Sequence, residues 1–241
     1  MRFKGEVALI IVGLEVMLAV YHQENNKHFV IVHAQKGILC CMSQRIGVFG
    51  GTFDPPHIGH LILAGEAAAQ LHLTRLLWVL TPDPPHKQEN PVTPLIHRLP
   101  MLQAMLAGNP IFELSRIEID RPGPHYTVDT LHLLAKQEPD AELFLLIGGD
   151  SLWNLPSWRL STDLITAVSK IGVMRRPGDY TDITPLEAKL PGITQKIQYL
   201  DALLQRVSSS ELRRRIYTGE MYRYYLASEV YNYIEEHQLY R

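Results

Sequence analysis

One stretch limits this chain more than any other: Gly50-Gly51-Thr52-Phe53-Asp54-Pro55-Pro56-His57-Ile58-Gly59-His60. An apolar run, Ile46–Phe49, precedes it, and Ile58, Leu61, Ile62, Gly65 and Ala68 follow at helical spacing. The order is strand, glycine turn, helix. Such a turn brings backbone N–H groups and the positive end of a helix to one point, which suits an anion. Gly50 and Gly51 let a phosphate approach the backbone with no Cβ in the way, and Thr52 and Phe53 offer N–H groups. His57 and His60 stand three residues apart at the start of the helix and share a face. Pro55-Pro56 stiffens the approach to the helix. Asp54 is read as holding the turn rather than acting in chemistry.

From residue 45 onward apolar runs alternate with helical patterns. Strands are expected over Ile46–Phe49, Leu76–Leu80, Ile111–Ile119, Leu143–Ile147, Lys170–Met174 and Lys196–Leu200. Helices are expected over Ile58–Leu71, Leu95–Leu106, Thr127–Lys136, Ser209–Tyr217 and Ser228–His237, with Pro100 kinking the second or moving its start. The Trp153–Trp158 segment and residues 176–194 give no clear pattern. Strands separated by helices imply an α/β fold: a doubly wound, mostly parallel sheet with helices on both faces and a small C-terminal helical part. Ligands bind beyond the carboxyl ends of such strands. Gly50-Gly51, the proline-rich loop 81–88 and Gly149-Asp150 all fall there. Neither G-x-x-x-x-G-K-[ST] nor G-x-G-x-x-G is present, which argues against P-loop and ordinary dinucleotide-binding readings.

With 241 residues and 46% hydrophobic content, the chain can bury one sizeable core, as one large domain or one domain with additions. A net charge of −2 supplies no basic field for nucleic acid. The two cysteines, Cys40 and Cys41, are adjacent, so neither a metal-ligand spacing nor an unstrained disulfide is available and a reducing cytoplasm is the default. The first 44 residues read differently from the rest. Val7–Val20 is apolar apart from Gly13 and Glu15, but falls short of the roughly 20 residues that span a membrane. Behind Arg2 and Lys4 it has the form of a secretion-signal core, yet no small-residue cleavage pattern follows. The expected division is an extension over 1–44 and a functional domain over 45–241. Either Met42 is the initiator or residues 1–41 are an appendage.

The Gly50–His60 stretch resembles the G-G-T-F-D-P-x-H-x-G-H signature of the HxGH nucleotidyltransferases. Val207-Ser208-Ser209-Ser210-Glu211-Leu212-Arg213 resembles their second signature, I-S-S-T-x-I-R, with departures at Val207, Ser210 and Leu212. Pro84-Pro85-His86-Lys87, Pro124-His125-Tyr126-Thr127, Gly148-Gly149-Asp150-Ser151-Leu152, Leu155-Pro156-Ser157-Trp158 and Arg175-Arg176-Pro177-Gly178 resemble internal motifs of bacterial nicotinate-nucleotide adenylyltransferases. Tyr233-Ile234 and Leu239-Tyr240-Arg241 fit the same pattern. The resemblance covers about 45 to 241. It implies a Rossmann-like fold and transfer of AMP from ATP to nicotinate mononucleotide, giving deamido-NAD⁺ and pyrophosphate, in NAD biosynthesis in a bacterial cytoplasm. Rival readings are an enzyme for nicotinamide mononucleotide or phosphopantetheine, and an inactive nucleotide-binding protein on the same fold. Phosphopantetheine enzymes are usually shorter and lack the Trp158 segment; intact His57, His60 and Arg213 argue against inactivity.

In that reaction the attacking phosphate is already an oxyanion, so catalysis reduces to positioning and charge neutralisation. The resemblance implies a catalytic set of His57, His60 and Arg213. His60 faces the α-phosphate and His57 the triphosphate, both favoured as imidazolium by the phosphates nearby. Gly50, Gly51, Thr52, Phe53, Lys87, Asp150, Ser208 and Ser209 are implied on the ATP side. Ser209 alternatively caps its helix, with Ser210-Glu211 in the first turn, and Asp150 alternatively caps another. On the acceptor side, the Thr127 N–H would meet the nicotinate carboxylate, Trp158 would stack on the pyridine, and Arg159 would add its backbone N–H. Arg159 stands where the family often has an aromatic residue. His125 stands where it often has serine, and with Tyr126 shapes the loop. Mg²⁺ is expected to arrive with ATP, held by phosphates and water, with no protein metal site. No stable membrane association is expected, and a homo-oligomer is left open.

Overall fold

The structure, a computed structural model, describes residues 6–12, 15–21, 31–32, 44–83, 92–174, 182–203 and 207–241. Lys87, the 175–178 motif, Cys40, Cys41 and Met42 lie outside the described residues. The chain divides into two units, Met1–Met42 and Ser43–Arg241. In the first, β1 (Glu6–Val12), β2 (Glu15–Tyr21) and β3 (Ile31–Val32) form an antiparallel sheet in that order. The apolar run Val7–Val20 is therefore two strands paired Val12 to Glu15 across residues 13–14, not one continuous segment.

The second unit runs β4 (Arg45–Gly51), α1 (Ile58–Gln70), β5 (Arg75–Leu80), α2 (Leu95–Leu106), β6 (Phe112–Ser115), α3 (Thr127–Gln137), β7 (Glu142–Gly148), α4 (Gly149–Asn154), α5 (Ser161–Ala167), β8 (Lys170–Met174), α6 (Thr184–Lys189), α7 (Ile193–Lys196), β9 (Ile197–Leu200), α8 (Ser209–Thr218) and α9 (Ser228–Glu236). The six strands are parallel, in the order β6-β5-β4-β7-β8-β9. Both faces of the sheet are covered, which is why its strands read as near-continuous apolar runs. Alternate residues of β5 show the division. Leu76, Trp78 and Leu80 join one core with Leu63, Leu102, Leu212 and Val230; Leu77 and Val79 join the other with Leu131, Leu164, Ile171 and Leu186.

β4 is central, and the chain leaves it first toward β5 and β6, then toward β7, β8 and β9. The reversal of strand order lies between β4 and β7, whose carboxyl ends are Gly51 and Gly148. The doubly wound parallel architecture expected from the alternation is present, with the crevice at the Gly50-Gly51 turn.

Three local features refine these expectations: one strand is shorter than expected, one helix keeps its expected bounds, and one unpatterned stretch is helical. The third strand stops at Ser115 instead of Ile119, because Asp120 N–H closes a turn onto the Arg116 carbonyl (2.9 Å) and their side chains pair (2.7 Å). α2 starts at Leu95 and runs through Pro100; the carbonyl that Pro100 cannot serve belongs to Ile96, an exposed residue. The unpatterned stretch before β9 contains α6 and α7, joined by Glu187, whose carboxylate accepts from Gly192 N (2.7 Å), Thr194 N (2.9 Å) and Thr194 Oγ1 (2.6 Å). No helix among the described residues is long and apolar enough to cross a membrane.

Candidate active site

The turn after β4 is set by a residue in an unusual conformation. Phe53 has φ +47°, in the left-handed region that costs a bulky residue about 1–2 kcal/mol. Its buried ring meets Phe49 edge-on at 5.4 Å and His60 at 5.1 Å, and leans on Trp78 at 5.3 Å. A Cβ on Gly51 would come within 3.1 Å of that ring, so this glycine makes room for Phe53 as well as for a ligand. Below the turn, Arg98 of α2 is 1% exposed. It donates to the carbonyls of Thr52 (3.0 Å), Thr81 (2.8 Å), Pro82 (2.6 Å) and Thr93 (2.6 Å). Burial lowers its pKa, with Asp54 opposing that shift, but guanidinium stays charged over the whole physiological range. Because the Thr52 carbonyl faces Arg98, the N–H of the same trans peptide, that of Phe53, points the opposite way. The sequence reading missed Arg98. The signal was there: Arg98 shares a helical stripe with buried Met101, Leu102 and Met105, where a lone charge needs a reason.

The second signature docks directly onto this turn. Arg213 Nη1 donates to the Asp54 carbonyl (2.7 Å) and lies 3.8 Å from Asp54 Oδ2. Ser209 Oγ donates to the Pro55 carbonyl (2.9 Å). The α8 cap is Ser208, whose Oγ accepts from Glu211 N (3.3 Å), so the capping expectation for Ser209 is corrected by one residue. Asp54 is 3% exposed and does hold the turn: Oδ2 accepts from Thr93 N (3.1 Å) and Oδ1 from the Tyr240 hydroxyl (2.7 Å).

His57 is the extended residue that opens α1. Its N–H donates to His60 Nδ1 (3.1 Å), and its carbonyl accepts from His60 N (2.9 Å). His60 Nδ1 is thus an acceptor, which puts the proton of that ring on Nε2. The two rings stack at 3.7 Å and 22°. Gly59 permits this, since a Cβ there would lie 3.1 Å from the His57 ring. His57 is 5% exposed, its Nδ1 has no partner among the described residues, and burial pushes its pKa down to about 4. The imidazolium state expected beside phosphate is not the state of the empty site, where burial keeps His57 neutral. One nitrogen of His60 is spent as an acceptor, and His57 is desolvated against a second imidazole on an aromatic floor. What the pair offers is two neutral rings, His60 as an N–H donor and His57 as a group that can take up a proton when an anion arrives.

A cavity of about 300 Å³ opens beside the turn. Its wall brings together Gly50, Gly51 and Thr52 with Thr127, Trp158 and Arg159. Phe53, His57, His60, Asp150, Ser208, Ser209 and Arg213 are not part of that wall. Thr127 is the first residue of α3, after the cap position Tyr126, where helical N–H groups lack internal acceptors. Trp158 is half-buried against the α3–α5 core, and its backbone N–H donates to the Leu155 carbonyl (3.0 Å). The exposed Arg159 places its guanidinium 4.8 Å over the Tyr126 ring, a side-chain role the sequence reading did not give it. Asp150 is the second residue of α4 and exposed; the cap position is Gly148, so the capping alternative for Asp150 is corrected. Three buried polar residues, Glu118, His125 and Thr130, complete the wall, with Arg121 behind it. Glu118 Oε1 accepts from Thr130 Oγ1 (2.6 Å), and Arg121 donates to that same Oγ1 (3.2 Å) and to the Pro124 carbonyl (3.2 Å). Glu118 Oε2 and His125 Nδ1 are buried with no partner among the described residues. No group of three or more His, Cys, Asp or Glu that could hold a metal gathers among the described residues.

Comparison with known proteins shows the family of the chain. The profile of the cytidylyltransferase-like family matches residues 48–215. A protein of Thermomicrobium roseum named "Probable nicotinate-nucleotide adenylyltransferase" is 43% identical over 197 residues, covering 82% of this chain and 92% of its own. The Bacillus subtilis protein named nicotinate-nucleotide adenylyltransferase is 37% identical over 197 residues, covering 82% and 98%. Among solved structures, the Plasmodium falciparum nicotinic acid mononucleotide adenylyltransferase complexed with NaAD superposes with a TM-score of 0.69 at 19% identity, covering 82% of this chain and 97% of that one. That last likeness speaks for the fold alone.

Proposed function

This chain belongs to the cytidylyltransferase-like family and, within it, to the nicotinate-nucleotide adenylyltransferases, and we infer that it transfers AMP from ATP to nicotinate mononucleotide, yielding deamido-NAD⁺ and pyrophosphate. One observation carries the reading in the structure: the two signatures, more than 150 residues apart, meet at a single turn through Arg213–Asp54 and Ser209–Pro55 hydrogen bonds. This joint donor site adjoins a cavity of the size that takes a mononucleotide ring.

In the mechanism we propose, the acceptor phosphate attacks the α-phosphorus of ATP directly, and pyrophosphate leaves. His60 Nε2–H donates to an α-phosphate oxygen as its charge grows. His57 gains a proton as the triphosphate approaches and offsets its charge. Arg213 and the N–H groups at the start of α8 hold the departing β- and γ-phosphates. Gly50, Gly51, Thr52 and Phe53 line the phosphate path, with Lys87, Asp150 and Ser208 as further contacts to ATP. Mg²⁺ brought by ATP would supply additional charge neutralisation on the phosphates. On the acceptor, the α3 N–H groups at Thr127 receive the carboxylate, Trp158 stacks on the pyridine, and the Arg159 N–H closes the far side. Donors aimed at one point favour an acid over a carboxamide. The compartment proposed is the cytoplasm, where ATP is drawn.

Incubation with ATP, Mg²⁺ and nicotinate mononucleotide, followed by mass spectrometry, tests the reading. Deamido-NAD⁺ and pyrophosphate in equal amounts support it; no product from this acceptor contradicts it.

A further inference from the structure

Among the described residues Asp54 is met by three segments distant in sequence, at Thr93, Arg213 and Tyr240, and the last of these comes from beyond the last helix. After α9 the chain folds back, with Leu239 N–H on the Ile234 carbonyl (3.1 Å) and Leu239 and Tyr240 packed on the core under α1 and α2. Tyr240 then adopts φ +66°, a left-handed conformation that a bulky residue keeps only when its surroundings hold it there. What this conformation achieves is a hydroxyl placed 2.7 Å from Asp54 Oδ1. Burial and the nearby Asp54 carboxylate both raise the phenol pKa well above its usual value, so it remains a donor at any working pH.

The two oxygens of Asp54 have different tasks. Oδ2 faces the Thr93 N–H and the Arg213 guanidinium; Oδ1 faces Tyr240. Of the two cations near Asp54, Arg98 is committed to four backbone carbonyls, so a buried carboxylate stripped of its Oδ1 donor will rotate toward Arg213. Arg213 at present lies 3.8 Å from Oδ2 and bonds the Asp54 carbonyl instead. We propose that Tyr240 is a positioning residue for adenylyl transfer: by occupying Asp54 Oδ1 it keeps the carboxylate from capturing Arg213, so that Arg213 stays on the turn and available to the departing phosphates. The segment after α9 is then part of the active site, although it lies far from either signature.

This inference rests on the adenylyltransferase reading, and one experiment separates the two. The full chain and its Tyr240→Phe variant are compared in steady-state pyrophosphate release from ATP and nicotinate mononucleotide, together with Arg213→Lys and the double variant. Tyr240→Phe is expected to lower kcat about tenfold and to leave both KM values within twofold. The double variant is expected to lose less than the product of the two single losses, because both changes act through one guanidinium. An unchanged kcat for Tyr240→Phe, a loss confined to KM, or multiplicative losses would overturn the proposal. So would a Tyr240→Phe protein that fails to fold, since the oxygen would then be holding the fold rather than the turn. A wild-type protein with no activity on this acceptor contradicts the functional reading instead.

Discussion

The turn after β4 and the acceptor cavity share the carboxyl edge of one sheet but are built by opposite means. At the turn, buried or half-buried side chains reach across the fold to fix backbone carbonyls and one carboxylate: Arg98 from α2, Ser209 and Arg213 from α8, Tyr240 from beyond α9. The cavity wall is held more sparingly. The elements proposed to recognise the acceptor are helix-start N–H groups, a half-buried indole and the N–H of a residue whose guanidinium lies over Tyr126, and two of the wall's buried polar atoms, on Glu118 and His125, lack partners among the described residues. The lesson is that, in the proposed reaction, the phosphates meet a turn whose backbone is fixed in advance, while the acceptor meets a wall with polar groups left to be satisfied. Leaving a buried polar atom unpaired costs about 1–3 kcal/mol; among the described residues the turn and its helix carry that cost at His57 Nδ1, and the cavity wall at Glu118 Oε2 and His125 Nδ1.

Breaking the turn should therefore act on the rate, and breaking the cavity on affinity. The largest effect is expected from His60→Ala. Loss of a donor directed at developing charge should reduce kcat about 10²–10³-fold, or about 3–4 kcal/mol, with ATP binding still measurable by calorimetry. An unchanged kcat would remove His60 from the chemistry.

The next effect is on stability. The native His57 pKa of about 4 lies below the value of 6.5 that the ring has when unfolded. Above pH 6.5 both states are neutral and the ring contributes nothing. As pH falls from 6.5 toward 4 the unfolded chain takes the proton first, so stability is lost by about 2 kcal/mol between pH 7 and pH 5. Urea titrations of the nucleotide-free protein should show this slope, and His57→Gln should flatten it. Equal slopes would mean that His57 is not desolvated as described.

Smaller still is Trp158→Ala. Its loss of stacking should raise the acceptor KM about tenfold, or about 1.4 kcal/mol, while the ATP KM stays within twofold. A change confined to ATP would move Trp158 to the other side of the site.

Much of this was legible from the residues because the chemistry is written in local spacing. Gly50-Gly51, His57 and His60 occupy one strand-turn-helix unit, and alternation of apolar runs with helical periods led to the parallel sheet. What stayed hidden depends on distance. Arg98 and Tyr240 contact the turn from 46 and 186 residues away, and nothing in their own neighbourhoods names Thr52 or Asp54 as the partner. The resting protonation of His57 was hidden for a related reason: residue type suggests a cation beside phosphate, but the burial that keeps the ring neutral in the empty site is supplied only by the fold. The Ser208–Ser209 exchange of roles reflects a single step in a helix boundary, the least determinate feature of a periodic pattern.

The central claim is that this site joins AMP to an acid acceptor because helix-start N–H groups receive its carboxylate. The most direct test offers wild-type protein equal concentrations of nicotinate mononucleotide and nicotinamide mononucleotide with ATP and Mg²⁺, and separates the two dinucleotide products. Deamido-NAD⁺ in at least tenfold excess is predicted; equal amounts, or an excess of the amide product, would contradict the account.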